Sequence, residues 1–121
     1  MPLADLLPID YAALRAQLPM SHVLELLAFR PMRVRGPQLR GPCPLPDCPS
    51  GSAPHFSVNL QRHVYQCFAC RSAGNQLDLW AAVHRLSLAA AAVHLCRVTQ
   101  TPVPRRLAAS SDRPSPRSAT N

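Results

Sequence analysis

The spacing of apolar residues changes character several times along this chain, and each change predicts a different element. Over residues 9–29 the spacing is helical: Leu14 and Leu18 share one face, Val23, Leu26 and Leu27 share another, and Pro19 stands between them. Two short helices are expected there, with Asp10 and Ser21 as N-caps whose side-chain oxygens accept from free first-turn N–H groups. Over residues 30–54 seven prolines, interspersed with glycine and arginine, break the pattern, leaving loop and short strand. Alternation then takes over. Phe56, Val58 and Leu60 interleave with Ser57 and Asn59, and a second run over residues 63–68 follows a connection at Gln61 and Arg62. This predicts a β-hairpin, although its turn has no glycine.

After Gly74, Asn75 and Asp78 have the spacing of a reciprocal capping pair. Leu77, Leu79, Trp80, Val83 and Leu86 make the helix that follows apolar on most sides, so it belongs in the core and Trp80 with it. Ser87 caps another helix through Cys96, expected to fold back on its predecessor as a helical hairpin. The sequence past residue 101 has no apolar periodicity and buries too little to order itself. The expected division is a flexible N-terminus over 1–8, one domain over 9–100 and a disordered Arg/Pro/Ser-rich tail over 101–121.

Composition adds a constraint that periodicity does not show. With 121 residues, 14 prolines and 5% aromatics, a core of large side chains is hard to build, so the domain needs a staple. The cysteines supply one. Cys43 and Cys48 have four residues between them, Cys67 and Cys70 have two, and eighteen residues separate the pairs. Two close thiolate pairs brought together by a hairpin make a tetrahedral zinc site; two disulfides are the alternative, and nothing in the sequence suggests secretion. One Zn²⁺ held by four protein ligands has no open position for water, so the metal is structural. His55 and His63 flank the hairpin but are not needed as ligands, and Cys96 has the setting of an inert buried thiol.

Thirteen basic residues against six acidic ones give a net charge of +7, which points to a polyanionic partner. All thirteen are arginine, a bias that a GC-rich genome also produces, so position carries more weight than total. Arg30, Arg33, Arg35 and Arg40 crowd into eleven residues with no acidic neighbour from Leu26 to Pro46, the best candidate strip for a phosphate backbone. Arg62 and Arg71 lie near the ribbon, where with Arg40 they can also offset the excess charge of four thiolates. Phe56, Tyr65 and Phe68 are candidates to stack on bases, with Tyr65 preferred. No apolar run is long enough to span a bilayer, and neither a membrane partner nor a small-molecule substrate is expected.

These features together resemble the N-terminal zinc-binding domain of DnaG-type bacterial primases. The residues that carry the resemblance are Gly41-Pro-Cys-Pro44, Pro54-His-Phe-Ser-Val-Asn59, Tyr65-Gln-Cys-Phe-Ala-Cys70 and Ala73-Gly-Asn-Gln-Leu-Asp-Leu-Trp80. The flanking helices follow the family order, so the likeness spans residues 9–99. It departs from the family pattern where Pro46 replaces a histidine ligand, with Cys48 the natural substitute, and where Arg71, Ser72 and Ala73 replace glycines.

What the resemblance implies is an α+β fold, a small zinc ribbon with an antiparallel sheet flanked by N-terminal and C-terminal helices. It also implies contact with single-stranded DNA template in replication, in the bacterial cytoplasm at the nucleoid. The six scattered acidic residues form no cluster for the magnesium ions of nucleotidyl transfer, so primer synthesis is expected from a separate catalytic subunit. The rival expectation is a zinc-stabilised adaptor that docks on a helicase or polymerase.

Overall fold

A computed structural model of the chain describes residues 7–49 and 51–106. Nine elements follow in order: helices α1 (Tyr11–Gln17) and α2 (Met20–Leu26), strands β1 (Arg33–Arg35), β2 (Gln38–Gly41), β3 (Phe56–Asn59), β4 (Val64–Cys67) and β5 (Ala73–Asn75), then helices α3 (Gln76–His84) and α4 (Leu88–Thr99). The strands form one antiparallel meander in sequence order, so the α+β expectation is met. One face of the sheet carries Phe56, Val58, Tyr65 and Cys67 into a core completed by Leu14, Met20, Val23, Leu77, Leu79, Trp80 and Leu95.

Local chemistry explains most boundaries. Asp10 accepts from the Ala13 N–H and starts α1. Asn75 and Asp78 close the full capping box on α3, and the Ser87 hydroxyl accepts from the Ala90 N–H of α4. In the glycine-free turn between β3 and β4, the Asn59 side chain accepts from the Gln61 and Arg62 N–H groups, and His63 takes the left-handed conformation at φ +56°. An Asx turn thus does the work expected of glycine.

Four expectations are corrected. The N-cap of α2 is Pro19, not Ser21, and the free Met20 N–H is instead satisfied by His63 Nδ1 at 3.1 Å, a partner 43 residues away that no local pattern reveals. The buried face of α2 is Met20, Val23 and Leu24, while Leu26 is exposed. Helices α3 and α4 meet at 95° and pack through Trp80, whose indole N–H donates to His94 Nδ1 at 2.9 Å, so they do not form a tight antiparallel hairpin. Residues 104–106 run back across residues 7–10: the Asp10 N–H donates to Pro104 O, the Arg106 N–H to Pro8 O, and the Arg105 guanidinium to Leu7 O. The folded unit therefore takes in residues 7–106, and the rest of the expected tail lies outside the described residues.

A buried amide ties α1 to α3. Gln76, 1% exposed, donates from Nε2 to the Arg15 and Leu18 carbonyls, which α1 leaves free at its C-terminal end. Among the described residues no single helix is long and apolar enough to cross a membrane.

Candidate metal centre and the outer sheet face

The sheet register brings the two cysteine pairs together. Gly41 pairs with Phe56, and Phe56 with Cys67, so the loop leaving β2 starts level with the end of β4. Glycine at position 41 lets Phe29 pack closely on the backbone that leads to Cys43: a Cβ there would stand 2.9 Å from the Phe29 ring. On the other side Cys67 ends β4 and its turn is closed by Arg71 N–H to Cys67 O and Cys67 N–H to Ser72 O. Arg71, where the resemblance has glycine, adopts a left-handed φ of +68°.

The four sulfurs of Cys43, Cys48, Cys67 and Cys70 all lie within 4.8 Å of one another. Cys43 and Cys70 are 3.9 Å apart and Cys48 and Cys67 are 3.5 Å apart. A tetrahedron with zinc–sulfur bonds of about 2.3 Å has edges of about 3.8 Å, so the group is the right size for one zinc ion. Burial pushes the Cys43 and Cys70 thiols above their ordinary range; Cys48 and Cys67 add to the rise at both, while Cys43 works against it at Cys70. A bound zinc ion compensates the thiolate form that burial disfavours at Cys43 and Cys70. His55 is exposed and outside the group, and His63 is occupied at the N-terminus of α2. Cys96 is buried on α4, away from the four sulfurs.

The opposite face of the sheet from the core is polar and basic. Register aligns Arg33, Arg40, Ser57, Gln66 and Ala73 in one row and Arg35, Gln38, Asn59, Val64 and Asn75 in the next. Two concavities run across this side, and a third lies at its edge between the β3–β4 turn and α1; neighbouring ones share lining residues. The first, about 570 Å³, has Arg33, Arg35, Gln38, Arg40 and Ser57. A second, about 410 Å³, continues over Gln38, Ser57, Gln66 and Arg62, and the third reaches Arg62, Arg15 and His63. None has an acidic residue in its lining.

Of the residues expected to meet nucleic acid, Arg33, Arg35 and Arg40 come together on this face and Arg62 stands at its far end. Arg30 is exposed before β1 and Arg71 is exposed on the metal-site turn, both outside these concavities. Tyr65 is a correction. It is 3% exposed, its ring stacks on Phe56 at 5.5 Å, and its hydroxyl meets Ser72 Oγ at 2.6 Å, so it is core. Its outer-face counterpart is Phe68, 52% exposed, with the Arg40 guanidinium over its ring at 5.2 Å. Arg15, Gln38, Ser57 and Gln66 were not singled out in the sequence. Pairing β4 against β3 with Tyr65 opposite Val58 would have placed residues 64, 66 and 68 outside.

A five-stranded antiparallel sheet, backed by helices and closed at one end by four convergent cysteines, defines a zinc ribbon with a single structural zinc site. The family model described as the CHC2 zinc finger, the zinc ribbon of DnaG, matches residues 10–111, and the chain belongs to that family. Its fold is similar to the crystal structure of the Aquifex aeolicus primase (zinc binding and RNA polymerase domains), with a TM-score of 0.62 and 20% identity. That likeness covers 85% of this chain and 23% of the other, so the chain spans about a quarter of that structure's length. No curated protein matches the sequence.

Proposed function

We propose that this zinc ribbon binds single-stranded DNA on the outer face of its sheet, as the template-contacting module of a primase system. The observation that carries the reading is the segregation of charge: Arg33, Arg35 and Arg40 share one face with Arg62 at its end and no carboxylate along it. Arginine forks on a backbone supply sequence-independent affinity, and the exposed Phe68 offers a ring to an unpaired base. Zinc holds the face in shape and takes no part in chemistry. On this reading the module works at the nucleoid beside a catalytic primase subunit.

The test is fluorescence anisotropy of a labelled single strand with the zinc-loaded protein at several salt concentrations. Replacing Arg33, Arg35 and Arg40 together by Glu is expected to abolish binding while zinc stoichiometry and circular dichroism stay unchanged. If three phosphates are neutralised, the logarithmic salt slope is about −2. Undiminished affinity in the folded triple variant overturns the reading. The second reading, a protein adaptor, is favoured by Leu88 and Val98, both exposed on α4, and gains if the wild-type protein binds no DNA at all.

A further inference from the structure

The arginines of the β1–β2 hairpin are packed more densely than following a nucleic-acid backbone requires. Arg33 and Arg40 are direct cross-strand partners, which puts their Cα atoms about 5 Å apart. Arg35 follows Arg33 on the same face at about 7 Å and lies about 7 to 8 Å from Arg40 along the diagonal. All three are exposed and border a single concavity with Gln38 and Ser57. Like charges placed opposite each other on a sheet repel and destabilise it.

No carboxylate among the described residues offsets that repulsion. Asp10 and Asp78 cap helices, Asp47 pairs with Arg85, and Glu25 lies on α2, which packs against the other face. The unmet charge calls for a ligand with several negative charges in a short span. A backbone brings one per nucleotide, whereas linked phosphates bring several to one place, each able to accept from a guanidinium fork.

We infer that this cradle takes a polyphosphate group, carried either by a free nucleotide or by the 5′ end of a strand. Gln38 and Ser57 add neutral hydrogen-bonding groups to its lining, and both also line the next concavity. A strand anchored by its 5′ phosphates would therefore leave across Gln66 toward Arg62. The inference rests on the nucleic-acid reading above and gives that path an end.

The experiment titrates zinc-loaded full-length chain against two labelled single strands of identical sequence, one with a 5′-triphosphate and one with a 5′-hydroxyl. Inorganic triphosphate and a nucleoside triphosphate serve as competitors. The triphosphate strand is expected to bind roughly tenfold more tightly, and inorganic triphosphate to remove that advantage. Arg33→Gln with Arg35→Gln is expected to abolish the preference at unchanged zinc content, whereas Arg62→Gln weakens both strands alike and keeps it. Competition by the nucleoside triphosphate as strong as that by the triphosphate strand identifies a free nucleotide as ligand and supports the cradle. Equal affinity for the two strands overturns the inference and leaves DNA binding standing, while failure of both strands to bind overturns the two readings together.

Discussion

Replacing Cys48 by serine tests the metal centre at the position where this chain departs most from its family pattern. The sulfur of Cys48 lies 3.5 Å from that of Cys67 and belongs to a group of four within 4.8 Å, so it occupies one vertex of the tetrahedron. Zinc binding in small structural sites is worth about 10 to 16 kcal/mol at neutral pH. One ligand of four then accounts for about 3 kcal/mol, on the order of a hundredfold in affinity. A serine oxygen is a poor replacement for a thiolate, and the ion would complete its shell with water, turning a closed site into an open one. Competition with a chromophoric chelator measures the loss directly, and cobalt substitution reports it as weaker thiolate charge transfer. His55→Ala is the control and is expected to leave affinity unchanged, because His55 is exposed and outside the sulfur group. Cys48→Ser with wild-type zinc affinity, or a loss in His55→Ala instead, would refute the four-cysteine assignment.

Three further outcomes are expected. Tyr65→Phe removes the hydroxyl contact with Ser72 and costs about 1 kcal/mol in urea unfolding, with DNA affinity unchanged; a stable variant with weakened DNA binding would restore the stacking role to Tyr65. Gln76→Ala leaves the Arg15 and Leu18 carbonyls without their donor and costs about 1 to 3 kcal/mol, measured by the same unfolding curves; an unchanged midpoint would show that α1 does not depend on that amide. Burial first, and the electrostatic influence of the neighbouring His94 second, hold His84 below the usual histidine range. The fold favours the neutral ring, so any stability from this exposed group is present above the unfolded value and lost as pH falls through the folded one. NMR titration of the imidazole should give a midpoint under the free-histidine value of about 6.5, and a midpoint above it would contradict the arrangement of Trp80, His84 and His94.

Local chemistry carried much of this protein's reading. The paired cysteines, the Asn75 and Asp78 capping box, the Ser87 and Asp10 caps and the alternation over β3 are short-range patterns, and short-range physics decides them. The failures share a cause. Ser21 is a good N-cap by type, but the Met20 N–H is taken by His63 from across the fold. Tyr65 is a good stacking residue by type, but stacking depends on which side of β4 the helices cover. The proline-rich stretch concealed a hairpin because the β1–β2 pairing spends only seven residues on strands, too few to show a period.

The sequence by itself determined the staple and the approximate helix spans: the spacing of the two cysteine pairs already implies a hairpin that brings them together. Tertiary structure alone decided which face of the sheet stays open. Alternation has a period of two and says only that residues differ in side, never which side is covered. Packing of α1 to α4 on one face turned Tyr65 and Phe56 inward and left Phe68 outside, while the turn at Gly36 and Pro37 set Arg33 opposite Arg40. The pairing of residues 8–10 with 104–106 was likewise invisible, because it joins segments far apart in the chain by backbone hydrogen bonds that no side-chain pattern encodes.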